Sequence, residues 1–297
     1  MNVASRNASL SSGIHGKLPI SSIEQALLKR RLQPASPKSS WERETGRGIQ
    51  HAFGEYRLDI TTASNGKPTH DEIVISEDCS SIATRVWDCA VVTTKWLEQE
   101  ALKHAQDDER LNLHRALQLS TNNTNPLQVL ELGSGMGLLS IAMAKMGAAV
   151  LSTEYGSAVA HLQGNCESNG VAMDTATTTI STTLTPGKVL ARELDWYKTT
   201  ETLQTLLPKP KDTPIFDVIA VTDCSLSIKD SVGVLDMIQK YGTPGHTKVL
   251  VGLCKEREGT PYFVNAAKEQ WKVTEIPTAN YHKDFQTKRH TILLIDL

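Results

Sequence analysis

An α/β fold is what this sequence predicts over residues 49–297: a seven-stranded, mostly parallel sheet between two layers of helices, ending in an antiparallel hairpin. Three observations carry the prediction. From Gln128 onward, short apolar runs alternate with stretches of helical periodicity, the pattern of parallel strands joined by right-handed crossover helices. Val129-Leu130-Glu131-Leu132 runs straight into Gly133-Ser134-Gly135-Met136-Gly137 and then Leu138-Leu139-Ser140, which reads as strand, glycine turn and helix start. The last two apolar runs, Trp271–Glu275 and His290–Ile295, have no helical pattern between them, so they pair as a hairpin.

The elements follow in order. Residues 1–48 are Ser-rich, contain Pro34 and Pro37, and lack apolar periodicity apart from a short helical stretch at Ile23–Leu32, so they read as largely disordered. The first twenty residues lack acids and carry Arg6 and Lys17, a faint transit-peptide character weakened by the scarcity of arginine. Arg57–Thr62 and Glu72–Ser76 alternate around Ser64-Asn65-Gly66-Lys67-Pro68, a hairpin signal. Val91, Val92, Trp96, Leu97, Leu102, Leu111 and Leu117 space a helix over Trp87–Leu119, with Asp107-Asp108-Glu109 as its breaking point.

Strands then fall at Gln128–Leu132, Ala148–Ser152, Lys188–Leu194, Phe216–Val221 and Lys248–Leu253. Helices fall at Leu138–Lys145, Ser157–Asn169, Ile228–Tyr241 and Tyr262–Gln270. Asp174–Thr185 is a Thr-rich loop or edge strand, and Pro208-Lys209-Pro210-Lys211 punctuates a linker. This is a Rossmann-like three-layer sandwich. Such sheets bind ligands beyond the carboxyl ends of their strands, where Glu131, Glu154 and Asp223 all fall.

Bulk properties narrow the function. A net charge of -2 argues against a general nucleic-acid binder. No apolar run approaches the ~20 residues of a membrane helix. The five cysteines, Cys79, Cys89, Cys166, Cys224 and Cys254, are scattered, odd in number and form no C-x-x-C pair. Neither a metal site nor a redox pair is expected; reduced thiols fit the cytoplasm, with the nucleus as a second compartment.

The glycine turn discriminates among nucleotides. Its G-x-G-x-G spacing puts Leu138 where a dinucleotide fold needs its third glycine, and no Lys-Ser or Lys-Thr pair follows as in a P-loop. Glu131, two residues before Gly133, would repel a pyrophosphate. It suits a cationic amino group such as that of S-adenosyl-L-methionine, while Glu154, on the next strand end, suits the two hydroxyls of a ribose. Glu131-Leu132-Gly133-Ser134-Gly135-Met136-Gly137 resembles motif I of the seven-strand S-adenosylmethionine-dependent methyltransferases.

Four more pieces extend the resemblance. Trp87-Asp88-Cys89-Ala90, Leu194-Asp195-Trp196, Asp223-Cys224-Ser225-Leu226 and Glu256-Arg257-Glu258 resemble the methyltransferase-like protein-lysine methyltransferases from about Glu72 to the C-terminus. The resemblance implies a methyltransferase domain over residues 49–297, a protein substrate presenting a lysine, no nucleic-acid or membrane partner, and a monomer. It implies cofactor contacts from Trp87, Glu131, Gly133, Ser134, Gly135, Gly137, Glu154, Asp195, Trp196 and Asp223. Trp87 would lie near the methionine end, Trp196 against adenine and Asp195 at its exocyclic amine. Plain core packing is the alternative for Trp87, a local backbone role the reading for Asn165. Asp223 is the catalytic candidate, placed near the acceptor amine; binding backbone amides is its alternative. The family pattern at that strand end is D-x-x-Y, and here Leu226 replaces the tyrosine, which opens the choice of acceptor. A small-molecule or nucleic-acid methyltransferase is the nearest rival, although the strand ends in Thr222-Asp223-Cys224-Ser225 and not in an N-P-P-Y-type motif. A non-catalytic interaction protein of the same fold is the other.

Overall fold

The central sheet is ordered β5-β4-β3-β6-β7-β9-β8. Its strands are β3 (Gln128–Leu132), β4 (Ala149–Glu154), β5 (Val189–Glu193), β6 (Val218–Thr222), β7 (Lys248–Cys254), β8 (Lys272–Ile276) and β9 (His290–Asp296). A computed structural model describes residues 55–64, 67–78, 81–103, 113–119, 126–173, 184–197 and 216–297 of the chain. The reading of residues 1–48, the break at Asp107-Asp108-Glu109, most of the Thr-rich stretch and the Pro208–Lys211 linker lie outside the described residues.

β3, β4, β5, β6 and β7 are mutually parallel, and all five lie within a residue or two of their expected positions. β3, β6 and β7 are mostly apolar runs, buried throughout except at Gln128, as strands covered on both faces require. The C-terminal pair is antiparallel as expected, but β9 also pairs with β7 and thus sits between β7 and β8. The burial of the two strands explains the order. His290–Ile295 is wholly buried, whereas Lys272–Ile276 is mostly exposed and suits an edge.

Helices cover both faces. α1 (Asp88–Lys103), the short α2 (Leu113–Ala116), α3 (Leu138–Lys145) and α4 (Ala158–Ser168) pack one face; α5 (Ile228–Tyr241) and α6 (Gly259–Gln270) pack the other. α1 and α2 both fall within the helix expected over Trp87–Leu119, on either side of residues that lie outside the described ones. α6 begins at Gly259 rather than Tyr262, because its first turn abuts the loop after β6: a Cβ on Gly259 would stand 2.2 Å from the Ser227 carbonyl oxygen.

α3 is buried along nearly its whole length, because a third element covers it. This is the hairpin of β1 (Glu55–Ser64) and β2 (Lys67–Ser76), paired as far as Ser64 with Lys67. Side chains tie it down. The Ser76 and Val74 N–H groups donate to Asn165 Oδ1 (2.9 Å) and Asn169 Oδ1 (3.1 Å), and Asn169 Nδ2 donates back to Val74 O (2.7 Å). Two amides thus pair with the edge of β2 as a strand would. On β1, the buried Lys95–Glu98 pair accepts the Thr61 N–H (2.7 Å) and donates to Asp59 O (2.9 Å). Among the described residues no helix is long and apolar enough to cross a membrane.

Candidate active site

The strand order reverses between β4-β3 and β6-β7, which makes the carboxyl end of β3 the switch point where sheets of this kind bind ligands. The glycine turn stands there. Gly133 has φ 63° and no room for a side chain: a Cβ there would lie 2.5 Å from Cys224 Sγ and 3.1 Å from the Trp196 ring. Gly137, at φ 87°, caps α3, and its Cβ would lie 2.5 Å from Leu162 Cδ1. Between them, Ser134 turns every polar group inward. Its N–H donates to Thr153 O (2.9 Å), its carbonyl accepts the Gly137 N–H (2.9 Å), and its hydroxyl contacts Ser152 Oγ at 2.7 Å. Ser134 therefore stitches the turn to β4.

Glu131 is 1% exposed. One carboxyl oxygen accepts from the Ser140 hydroxyl, which lies 2.7 Å from Ser152 Oγ, so a chain of hydroxyls runs beneath the turn. The other oxygen, Oε1, is buried with no hydrogen-bond partner among the described residues. Burial raises the carboxyl to about 7, against the lowering effect of the Ser140 and Ser134 hydroxyls. A buried acceptor left in this state costs free energy until a donor reaches it. An ammonium group is such a donor, so the residues present fit the amino-acid end of S-adenosylmethionine.

Glu154 closes β4 half-buried. Its Oε2 accepts the Gly135 N–H (2.6 Å) and its Oε1 the Tyr155 N–H (2.8 Å). A carboxylate has about four acceptor positions, so two remain for a diol. The Leu194 N–H donates to Glu154 O (2.9 Å), which brings Asp195 and Trp196 beside it. Asp195 Oδ1 accepts the Tyr197 N–H (2.9 Å) in a turn that fixes the loop. The Trp196 ring wedges between the Gly133 turn and Gly233 of α5, whose Cβ would meet Trp196 Cβ at 3.3 Å.

On the neighbouring strand tip, Asp223 follows β6 with φ 55°, a left-handed conformation that aspartate tolerates better than most side chains. Its N–H donates to Gly252 O (2.8 Å). Its carboxylate accepts two bonds from Arg257, at 2.9 Å from Nε and 2.5 Å from Nη2. The guanidinium carbon also lies 4.9 Å from the centroid of the Trp87 ring, and Trp87 Nε1 donates to Ile82 O (2.8 Å). Three of the recognised sequence pieces, containing Trp87, Asp223 and Arg257, meet in this stack. Sequence reasoning gives Arg257 no role beyond its motif. Its signal is faint: a single arginine between two glutamates just after the buried strand β7.

The expected carboxylates converge. After burial itself, Glu154, Asp223 and Glu131 are what push the Cys224 thiol well above the usual range. Asn165, read as a local backbone contact, instead joins the hairpin to the turn: besides holding Ser76, its Nδ2 donates to Met136 O (3.1 Å).

The described site therefore combines a topological switch point, a glycine turn and acids on adjacent strand tips. A model of the family described as lysine methyltransferase matches residues 67–270. The chain belongs to that family, a methyltransferase for which S-adenosyl-L-methionine is the expected cofactor. Comparison with curated proteins finds no match. Among solved structures, the chain is similar to a ribosomal protein L11 methylase from Lactobacillus delbrueckii subsp. bulgaricus, at 20% identity over 61% of this chain and 73% of that one, TM-score 0.36. It is also similar to the T. thermophilus 16S rRNA N2 G1207 methyltransferase, at 14% identity over 81% of this chain and 50% of that one, TM-score 0.42. A third likeness is to the glycopeptide N-methyltransferase MtfA, at 14% identity over 62% and 88%, TM-score 0.41.

Proposed function

We propose that this chain transfers a methyl group from S-adenosyl-L-methionine to the side-chain amine of a lysine in a protein substrate. The observation that carries the reading is the buried, half-satisfied carboxylate of Glu131 beneath a glycine turn, flanked by acids on both neighbouring strand tips. Glu131 and the backbone at Gly133, Gly135 and Gly137 hold the amino-acid end; Glu154 takes the ribose, and Asp195 and Trp196 the adenine. When bound, the cofactor supplies a methyl carbon already activated by a sulfonium charge.

What remains for the protein is alignment, exclusion of water and a neutral nucleophile. A free lysine ammonium has a pKa of about 10.4 and carries no lone pair for attack. Partial burial in a slot beside Trp87 favours the uncharged amine. Asp223 orients the acceptor end of the slot through its bonds to Arg257 and Gly252. In the transfer, the lysine nitrogen gains the methyl group and the positive charge that leaves sulfur, and it later releases a proton to solvent. Leu226, at the usual aromatic position, leaves the slot wall aliphatic.

The test is incubation of the purified full chain with methyl-labelled S-adenosylmethionine and cell lysate, followed by acid hydrolysis of labelled protein. Label in methyl-lysine, lost with Glu131→Gln, supports the reading. Label confined to RNA or to small molecules contradicts the lysine assignment.

A further inference from the structure

We infer that Arg257 is a positioning residue of the acceptor slot: by clamping Asp223 it cancels that carboxylate's charge, so the slot takes the lysine side chain as the neutral amine. The inference rests on the reading of the site as one of lysine methyl transfer. Alone, Asp223 would attract an acceptor ammonium but would also hold it protonated, which opposes attack. The geometry removes that conflict. Both carboxylate oxygens are engaged, by Nε at 2.9 Å and Nη2 at 2.5 Å, and the two side chains are 4% and 8% exposed. A bidentate pair of this kind is fixed in orientation as well as charge. Stacking on Trp87 at 4.9 Å holds the guanidinium from its open side. Beside a pair of zero net charge in such a dry site an ammonium loses its hydration with no countercharge to replace it, whereas a neutral amine does not.

The other groups facing the pair leave this balance intact. Cys89 of α1, Cys224 after β6 and Cys254 at the end of β7 are thiols pushed upward by burial, hence neutral. His290 of β9 is held down to about 4 by burial, hence also neutral at physiological pH. Glu256 is paired with Arg289 at 3.1 Å. Asp88 is the first residue of α1, where a helix N-terminus offsets a carboxylate.

The test needs no natural substrate. The probe is an S-adenosylhomocysteine analogue whose sulfur is replaced by a carbon bearing an aminomethyl arm, which sets the amine one carbon away, where the acceptor nitrogen meets the transferred methyl. The reference is the same compound with the arm ending in methyl. Calorimetry of the full chain in two buffers of different ionisation enthalpy counts the protons released on binding. For the wild type, the amine arm should release close to one more proton than the methyl arm at pH 7.5. Its affinity should rise roughly tenfold per pH unit from 7 to 9, because the free amine titrates near 10.4. Arg257→Gln should abolish the extra release, since Asp223 then binds the ammonium. The double variant Asp223→Asn, Arg257→Gln is uncharged at this point and should restore it even if the single variant folds poorly. No extra release in the wild type, or the same release in Arg257→Gln, overturns the inference. Failure of S-adenosylhomocysteine itself to bind the folded wild type overturns the underlying reading instead.

Discussion

Gly133 and Cys224 face each other at the tips of neighbouring strands with no space for one more carbon: a Cβ on the glycine would sit 2.5 Å from the thiol sulfur. The thiol is itself boxed in, 3.4 Å from Leu132 O and 3.3 Å from Thr222 O, so it has nowhere to retreat. Gly133→Ala meets this contact and the φ of 63° together. We expect a stability loss of about 1–3 kcal/mol, in the range of overpacked cores, and a cofactor affinity at least tenfold weaker. Thermal melting and calorimetric titration with S-adenosylhomocysteine check the two effects.

The Asp223–Arg257 pair makes a separate claim on stability. Removing one member of a buried ion pair leaves a bare charge and costs about 3–5 kcal/mol, whereas removing both costs much less. Asp223→Asn and Arg257→Gln should each lower the urea midpoint strongly. The double variant should recover most of the loss, a coupling that a double-mutant cycle reads directly.

Glu131 gives opposite pH dependences for folding and binding. Its carboxyl stands at about 7 in the folded chain, raised by burial, so the folded state binds the proton more tightly than the unfolded state does. Stability from this group is therefore full below the unfolded value near 4.5 and is lost as pH rises through about 7. The loss is on the order of 3 kcal/mol. Binding of a cationic cofactor needs the ionised form, so affinity should instead rise between pH 6 and 8. Urea melts and titrations of wild type against Glu131→Gln isolate both trends; the variant should flatten each difference.

Asn165 links the covering hairpin to the glycine turn through Ser76 and Met136. Asn165→Ala removes the partner of the buried Met136 carbonyl and of the part-buried Ser76 N–H, at a cost of about 1–3 kcal/mol. Limited proteolysis should then cut first within residues 55–76, and cofactor affinity should fall although no cofactor contact has been removed.

The strands were legible because a strand buried on both faces is a short apolar run with turn signals at its ends, as Val218–Thr222 and Lys248–Cys254 are. Glu131 was legible for a related reason: an acid inside such a run has to be explained by a site or a partner. The place of β9 was not legible. Pairing of β8 with β9 follows from the missing crossover, but insertion beside β7 depends on which strand can bear exposure, and that requires the whole sheet. The Asp223–Arg257 contact was equally hidden. The two residues lie 34 apart at the ends of adjacent strands, and they meet because Asp223 adopts a left-handed φ that no local pattern announces. Asn165 shows the same limit, since the face of α4 that reaches β2 is set by how the hairpin docks.

In the proposed site the carboxylates on the tips of β3 and β4 grip the methyl donor. Calorimetric titration of the full chain with S-adenosyl-L-methionine, beside Glu154→Ala, tests it most directly. The wild type should bind one-to-one and the variant at least tenfold more weakly, with the fold unchanged by circular dichroism. Equal affinities for the two proteins, or no binding by the folded wild type, would contradict it.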